Sequence, residues 1–291
     1  MSTTFTRKQL SLSFKLGRGS FGNSGYNTIG IDNARASAMV VKAGGASMGA
    51  LQLRVWGMTL SQMNQLSTLG KLPMSIRNNV VVVSAGDEET GMGVVFEGTI
   101  ADAWANLQAP PNGLFVVEAY AGLYDAVAPI PPTSYVGPTS VATIMAGLAA
   151  QMGLTFENGG VTAIFNNPYF PGTALSQVHA CAEAANIDCV IDNGKLAIWP
   201  RGGSRGGQVP LVSPGTGMIG YPTFTAAGVV VRTIYNPNLD FGARVRVESE
   251  LQRACGEWVI YDLSHSLESR MPEGEWHTEF SAYPPGYTPG V

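Results

Sequence analysis

Charge is what this sequence has least of. Asp, Glu, Lys and Arg make up 13% of its 291 residues, against roughly 25% in an ordinary soluble domain. Lysine is scarcest, confined to Lys8, Lys15, Lys42, Lys71 and Lys195. Lysine and glutamate are residues that protein–protein interfaces tend to exclude, so a chain this short of charge is expected to cover much of its surface with other chains. The net charge of −4 provides no basic excess of the kind a nucleic-acid reader needs. No stretch is long and apolar enough to span a membrane as a helix, and the opening MSTTFTRKQL has no apolar signal core. The expected compartment is therefore cytosol-like. Cysteine is also sparse: Cys181, Cys189 and Cys255 are odd in number and form no CxxC, the pattern of reduced structural thiols.

What is present is glycine, proline and alternating apolar residues. A hydrophobic content of 45% is ample for packed cores, and the length suggests about two domains. LSLSFKL (10–16) places Leu10, Leu12, Phe14 and Leu16 on one face, the period of a half-buried strand. LQLRVW (51–56) repeats the pattern. VVVVS (80–84) and MGVVFEGTI (92–100) flank the acidic turn DEETG and predict a hairpin. LFVVEAY (114–120) follows the turn signal PPNG. One short helix around 59–69 interrupts an otherwise antiparallel β region covering residues 1–127.

APIPPTSYVGP (128–138) favours an extended backbone that cannot serve as a central strand, and marks a boundary. The segment that follows, 128–203, is a small α+β unit. Thr139 or Ser140 can cap a helix carrying Val141, Ile144, Met145, Leu148 and Met152, with Gly153 where it should stop. A second helix is expected over 173–186. CVI, DNG and KLAIW then form a hairpin around Asn193-Gly194. PRGGSRGGQVP (200–210) is expected to be a linker. β structure returns over 204–291, with candidate strands VVVRTIY (229–235), ARVRVES (243–249), EWVIYDL (257–263) and WHTEFSAY (276–283). The tail PPGYTPGV is expected to be loose or docked on a neighbour. The fold class is thus mainly β with a small α+β segment.

Several motifs invite catalytic readings. LGRGSFG (16–22), MVVK (39–42), DFG (240–242) and MPE (271–273) occur in the order of protein-kinase signatures. A kinase also needs a catalytic-loop aspartate about 20 residues before DFG, yet none lies between Asp192 and Asp240. None of His179, His265 and His277 is followed by Arg-Asp, and only 49 residues follow Gly242, too few for a substrate lobe. Gly45 to Gly49 matches G-x-S-x-G around Ser47, but that elbow requires a parallel sheet; a glycine-rich hairpin loop fits better. His179 and Cys181 are two apart on a predicted helix, about 200° around its axis, so with Cys189 they make a poor zinc set. Asp262 and His265, at an odd offset on a strand, should face opposite ways. Glu88-Glu89 suits a solvated turn. No catalytic, cofactor-binding or metal-binding residue is assigned. Trp56, Trp104, Trp258 and Trp276 are candidates either for interface anchors or for barrel cores.

The carboxyl-terminal third carries a resemblance. VPLVSPGTGMIGYPTF, then GVVVRTIYNPNLDFGARVRVES, then GEWVIYDLSHSLESRMPEGEWHTEFSAYP, resembles the baseplate hub proteins of contractile-tail bacteriophages. The shared features are the loop Gly217 to Gly220, the strand end Asn236 to Leu239, the strand Gly242 to Ser249, and the closing hairpin Gly256 to Ala282. LRVWGMTLSQMNQLSTLG, VFEGTIADAWANL and NGKLAIW fit the same pattern, so the resemblance covers nearly the whole chain. It implies two tail-tube-like antiparallel β-barrel domains, 1–127 and 204–291, and a homotrimer whose six barrels form a ring. That ring would join a hexameric tail tube to a trimeric spike, contact other baseplate proteins, and let DNA pass without specific binding. The implied place is the virion tail baseplate, assembled in the host bacterial cytoplasm, with no enzymatic activity, cofactor or membrane insertion. An acidic balance would suit a DNA channel, since cationic walls would hold phosphates. LGRGSFG is then a glycine-permitted turn. Two alternatives are a tube, tube-terminator or tail-adaptor protein, forming hexamers, and a hydrolase or kinase using Ser47, or Lys42 with Asp240. The three segments leave no room for a fused lytic domain.

Overall fold

The computed structural model describes residues 6–22, 25–68, 78–89, 91–108 and 113–287. Contacts divide the chain into two units: 1–40, 50–123 and 265–277 in the first, and 41–49, 124–264 and 278–291 in the second.

The first unit is built on β1 (Gln9–Lys15), β2 (Thr28–Ile31), β3 (Arg35–Lys42), β4 (Ala50–Trp56), α1 (Leu60–Leu66), β5 (Val80–Asp87), β6 (Gly91–Asn106) and β7 (Leu114–Tyr120). Their order in the sheet is β3-β4-β7-β6-β5-β1-β2. The antiparallel registers Leu12↔Val83, Val83↔Phe96 and Leu53↔Val117 stack the apolar members of each alternation on one face. Leu10, Leu12, Phe14, Leu53, Val83 and Val117 are accordingly buried. β6 runs well past the expected 92–100. Register shifts at Val83/Ser84 and Ile100/Asp102 are bulges, each of which resets the two-residue alternation and hides a continuous strand from a periodicity argument. α1 starts at a capping box: Thr59 Oγ1 accepts the Gln62 N–H at 3.3 Å, and the Gln62 side chain accepts the Thr59 N–H at 3.0 Å. Its Met63 and Leu66 pack inward. The far end of the expected helix, like Lys71, part of DEETG and most of PPNG, lies outside the described residues.

The second unit takes in α2 (Leu123–Val127) from Tyr124 on, and contains β8 (Thr133–Ser134), β9 (Pro138–Ser140), α3 (Val141–Gln151), β10 (Thr155–Asn158), β11 (Ile164–Asn166), β12 (Tyr169–Phe170), α4 (Ala174–Ala185), β13 (Ile187–Asp192) and β14 (Lys195–Pro200). Ser140 caps α3 by accepting the Thr143 N–H at 3.1 Å, and Gly153 ends it at φ 71°. Thr173 caps α4, and Asn186 closes it in the left-handed region. Ile144, Met145 and Leu148 of α3, Val178, Cys181 and Ala182 of α4, and Leu196 and Ile198 of β14 make one buried core. Asn193 and Gly194 take positive φ, as a tight β13–β14 turn requires. The proline-rich stretch pairs in short ladders, β8 with β12 and β9 with β11, and bridges Thr173 from Pro129. It is tied down by buried Gln177, whose Nε2 donates to the carbonyls of Pro131 (3.1 Å) and Gly172 (2.9 Å).

The rest of this unit comprises β15 (Leu211–Val212), β16 (Thr223–Phe224), β17 (Val229–Ile234), β18 (Arg244–Val247), β19 (Gly256–Ser269) and β20 (Trp276–Tyr283), the last two sharing residues with the first unit. The order is β16-β17-β20-β19, with β18 joining β19 and β15. Val231, Val245, Val247, Ile260, Leu263 and Phe280 form a separate core. PRGGSRGGQVP is not a free linker. Arg205 within it is buried, its Nε and Nη2 donating to the Glu157 carboxylate at 3.2 and 3.1 Å. Burial alone would raise the Glu157 carboxyl, but Arg205 and then Lys195 outweigh it and hold the group below its usual range.

Burial dominates at Asp125 in α2, pushing its carboxyl up to about 6 against only a weaker opposing backbone hydrogen bond. A folded-state value above the unfolded one adds stability below pH 3.8 that is lost as pH rises through about 6. Asp125→Asn is therefore expected to stabilise the protein at pH 7, by about 1 kcal/mol after allowance for partial solvation, and to do nothing at pH 3.5. Denaturant titrations at the two pH values check this.

Candidate functional site

Of the four kinase-like stretches, two meet in the second unit: Lys42 of MVVK and the DFG of 240–242. Lys42, at the end of β3, is buried and reaches Asp192 Oδ2 at 2.8 Å and Asp240 Oδ1 at 3.2 Å. Asp192 is supplied by the β13–β14 turn and is itself nearly enclosed, whereas Asp240, in the turn between β17 and β18, keeps 38% of its side-chain surface in water. Phe241 packs over Gly44, where an added Cβ would sit 2.3 Å from its ring. Gly242, at φ 77°, lies against buried Trp199, 2.5 Å from where a Cβ would be. Tyr235 is driven above its usual range by burial first and by Asp240 second. The arrangement fastens three chain segments together through one cation, two carboxylates and two aromatic rings on glycines.

Lys42 is engaged by its two carboxylates. The loop LGRGSFG belongs to the first unit, where it turns between β1 and β2. Leu16 N–H donates to Asn27 O at 2.8 Å and Gly17 N–H to Asn79 Oδ1 at 3.0 Å, with Gly19 and Gly22 at positive φ. Ser47 is exposed in the β3–β4 loop, and that loop is held by Gly45 N–H on Cys189 O at 2.8 Å.

The residues of the zinc reading pack as follows. Cys181 and Cys189 are core residues; burial, with a smaller contribution from Cys189, pushes Cys181 up to about 12, and burial with Asp188 pushes Cys189 up to about 11. His179 is half-buried and lowered by desolvation. Among the described residues no group of three His, Cys, Asp or Glu side chains could hold a metal ion. On β19, His265 is buried while Asp262 is exposed, opposite faces as their offset demands. Glu88 and Glu89 are exposed at their turn. Among the tryptophans, Trp104 is 39% exposed, and Trp258 packs on the carboxyl-terminal core with its Nε1–H on Ala254 O. The fully enclosed indole is Trp199, which sequence patterning did not single out; the Asn-Gly turn that positions it was legible.

A surface feature was also missed. GMIGYPTF runs along β17 at the sheet edge, fixed by Ile219 N–H on Arg232 O and Ile234 N–H on Gly217 O, both 2.8 Å. Ile219, Tyr221 and Phe224 of this stretch, and Ile234 of β17, are exposed. Contiguous exposed apolar side chains on an edge strand are the mark of a surface made to be covered.

This β-rich fold is shared with solved tail proteins. The fold is similar to that of a tail protein from Neisseria meningitidis MC58, with a TM-score of 0.62 and 10% identity, covering 96% of this chain and 97% of that one. It is similar to the 43 kDa tail protein of prophage MuSo2 from Shewanella oneidensis (TM-score 0.61, 13% identity, 96% and 97% covered). A third likeness is the E. coli c3393 protein, a type VI secretion component described as structurally similar to the T4 tail proteins gp27 and gp5 (TM-score 0.56, 10% identity, 87% and 75% covered). No curated protein sequence matches the chain. The family model of baseplate hub gp41 matches residues 52–276. The chain belongs to the baseplate hub gp41 family and is a structural component of the phage tail.

Proposed function

We propose that the chain is a non-enzymatic hub of a contractile tail that assembles as a homotrimer. Its segments 1–127 and 204–291 act as two tube-like barrels, and 128–203 is a small appended domain. Three chains then place six barrels in a ring, matching a hexameric tail tube on one side and a trimeric spike on the other, with DNA passing through the middle. Assembly takes place in the host cytoplasm. The observation that carries this reading is the hub family match spanning both β-rich regions. The carboxyl-terminal core and the exposed Ile219, Tyr221, Phe224 and Ile234 support it, because a ring needs a packed second barrel and coverable edges. Light scattering on the purified protein, alone and co-expressed with tail proteins, is expected to give three times 30.6 kDa. A hexamer would move the chain to the tube or tube-terminator class, and a monomer in both conditions would remove the ring.

A further inference from the structure

In a chain so short of cations, four of them gather around one turn of the first unit. Arg270 ends β19 with its backbone in the left-handed region, φ 56°, and Glu273 of the same turn sits at φ 54°. L-residues with full side chains avoid this region, and such outliers cluster where the surrounding structure holds a residue for use. The Arg270 Nε–H donates to Asn33 Oδ1 at 3.0 Å, which fixes the plane of an exposed guanidinium. A hollow of about 430 Å³ on one side of it is lined by Asp32, Arg35, Trp56 and Gly113. A second, of about 440 Å³, is lined by Arg7, Lys8, Glu268 and Trp276. Arg35 lies over the Trp56 ring at 5.4 Å, so each hollow has an indole wall beside a cation.

The charges are partly spoken for. Lys8 is 2.7 Å from Asp87, and Glu268 accepts the Glu275 N–H at 3.2 Å within its own hairpin. That leaves Arg7, Arg35 and Arg270, all exposed, against Asp32 and Glu268, whose charge a backbone N–H does not cancel. A net excess of about one cation is too small for a nucleic-acid strand, which brings a phosphate every few ångströms. It fits one or two carboxylates held by guanidinium forks, with the indole faces taking the apolar side chain beside them. We propose that this paired groove around Arg270 docks an acidic segment of another protein, a short stretch with Asp or Glu next to an aromatic or aliphatic residue. This site goes beyond the ring and does not depend on it.

The test is selection of a displayed random 12-residue peptide library on the full chain, followed by fluorescence anisotropy with the winning peptides. Arg270→Gly is the informative variant, since glycine accepts the left-handed backbone and should fold at least as well while losing the guanidinium. The expected result is enrichment of acidic–apolar peptides that bind Arg270→Gly at least tenfold more weakly. Their Gln and Asn counterparts should likewise bind the native chain at least tenfold more weakly. Selected peptides without carboxylates, or equal binding by Arg270→Gly, would overturn the proposal. So would tighter binding of a 20-nucleotide single strand than of any peptide, or a fall in native mass caused by Arg270→Gly without peptide binding, which would make the groove a self-interface. Because peptide binding is read separately from native mass, a failed ring and a failed groove give different results.

Discussion

Gly242→Ala is expected to destabilise the protein by about 3 kcal/mol, far more than any surface glycine. Two costs add. Gly242 sits at φ 77°, where an L-side chain costs about 1 kcal/mol. The new methyl would also stand 2.5 Å from the Trp199 ring, and Trp199 is enclosed, so overpacking adds about 1–3 kcal/mol. The backbone cannot step aside cheaply: the Gly242 N–H donates to Ile260 O at 2.8 Å and its carbonyl accepts the Arg205 N–H at 2.7 Å. Gly45→Ala provides the control, being at φ 66° with nothing within 4 Å of its Cβ position; it should cost about 1 kcal/mol. Thermal or denaturant unfolding of the two variants measures the difference, and equal losses would mean that the Trp199 contact contributes nothing.

That glycine shows why a motif can be real in sequence and empty in chemistry. Asp-Phe-Gly stands at 240–242 because packing occupies each of its residues. Asp240 faces Lys42, Phe241 covers Gly44, and Gly242 admits Trp199. Strands whose alternation is unbroken, such as LSLSFKL and LQLRVW, were legible because one face is core and the other is not. The cap at Ser140, one of the two residues offered for it, and the Asn193-Gly194 turn were legible because their chemistry is local. The bulged β6 was only half legible, since each inserted residue inverts the pattern. Contacts such as Lys42 to Asp192 and Arg205 to Glu157 join residues far apart in the chain, and no local period encodes them. A glycine-rich stretch such as 200–210 looks like a linker until Arg205 is seen to be buried in it. The hub resemblance, in contrast, was legible from the order of turns and strands in the carboxyl-terminal third, which the family match spans as far as residue 276.

Lys42→Met should also cost about 3 kcal/mol or more, because it leaves Asp192 enclosed without its cation. Asp240→Asn should cost about 1 kcal/mol or less, since that carboxylate is 38% exposed. The contrast follows from burial: water can replace Lys42 at Asp240 but has little access to Asp192. Combining Lys42→Met with Asp192→Leu should recover much of the loss, because an apolar pair of similar volume no longer strands a charge. The same variants separate structure from catalysis. If Lys42 and Asp240 only fasten segments together, stability follows burial, the double variant refolds, and the native mass is restored with it. If they formed a phosphoryl-transfer pair, Asp240→Asn would abolish ATP turnover at nearly unchanged stability, and the apolar double variant would be stable but inactive. An ATP-turnover assay on the native chain, run beside the unfolding curves, decides between them, and the buried, carboxylate-bound state of Lys42 places the expectation on no turnover.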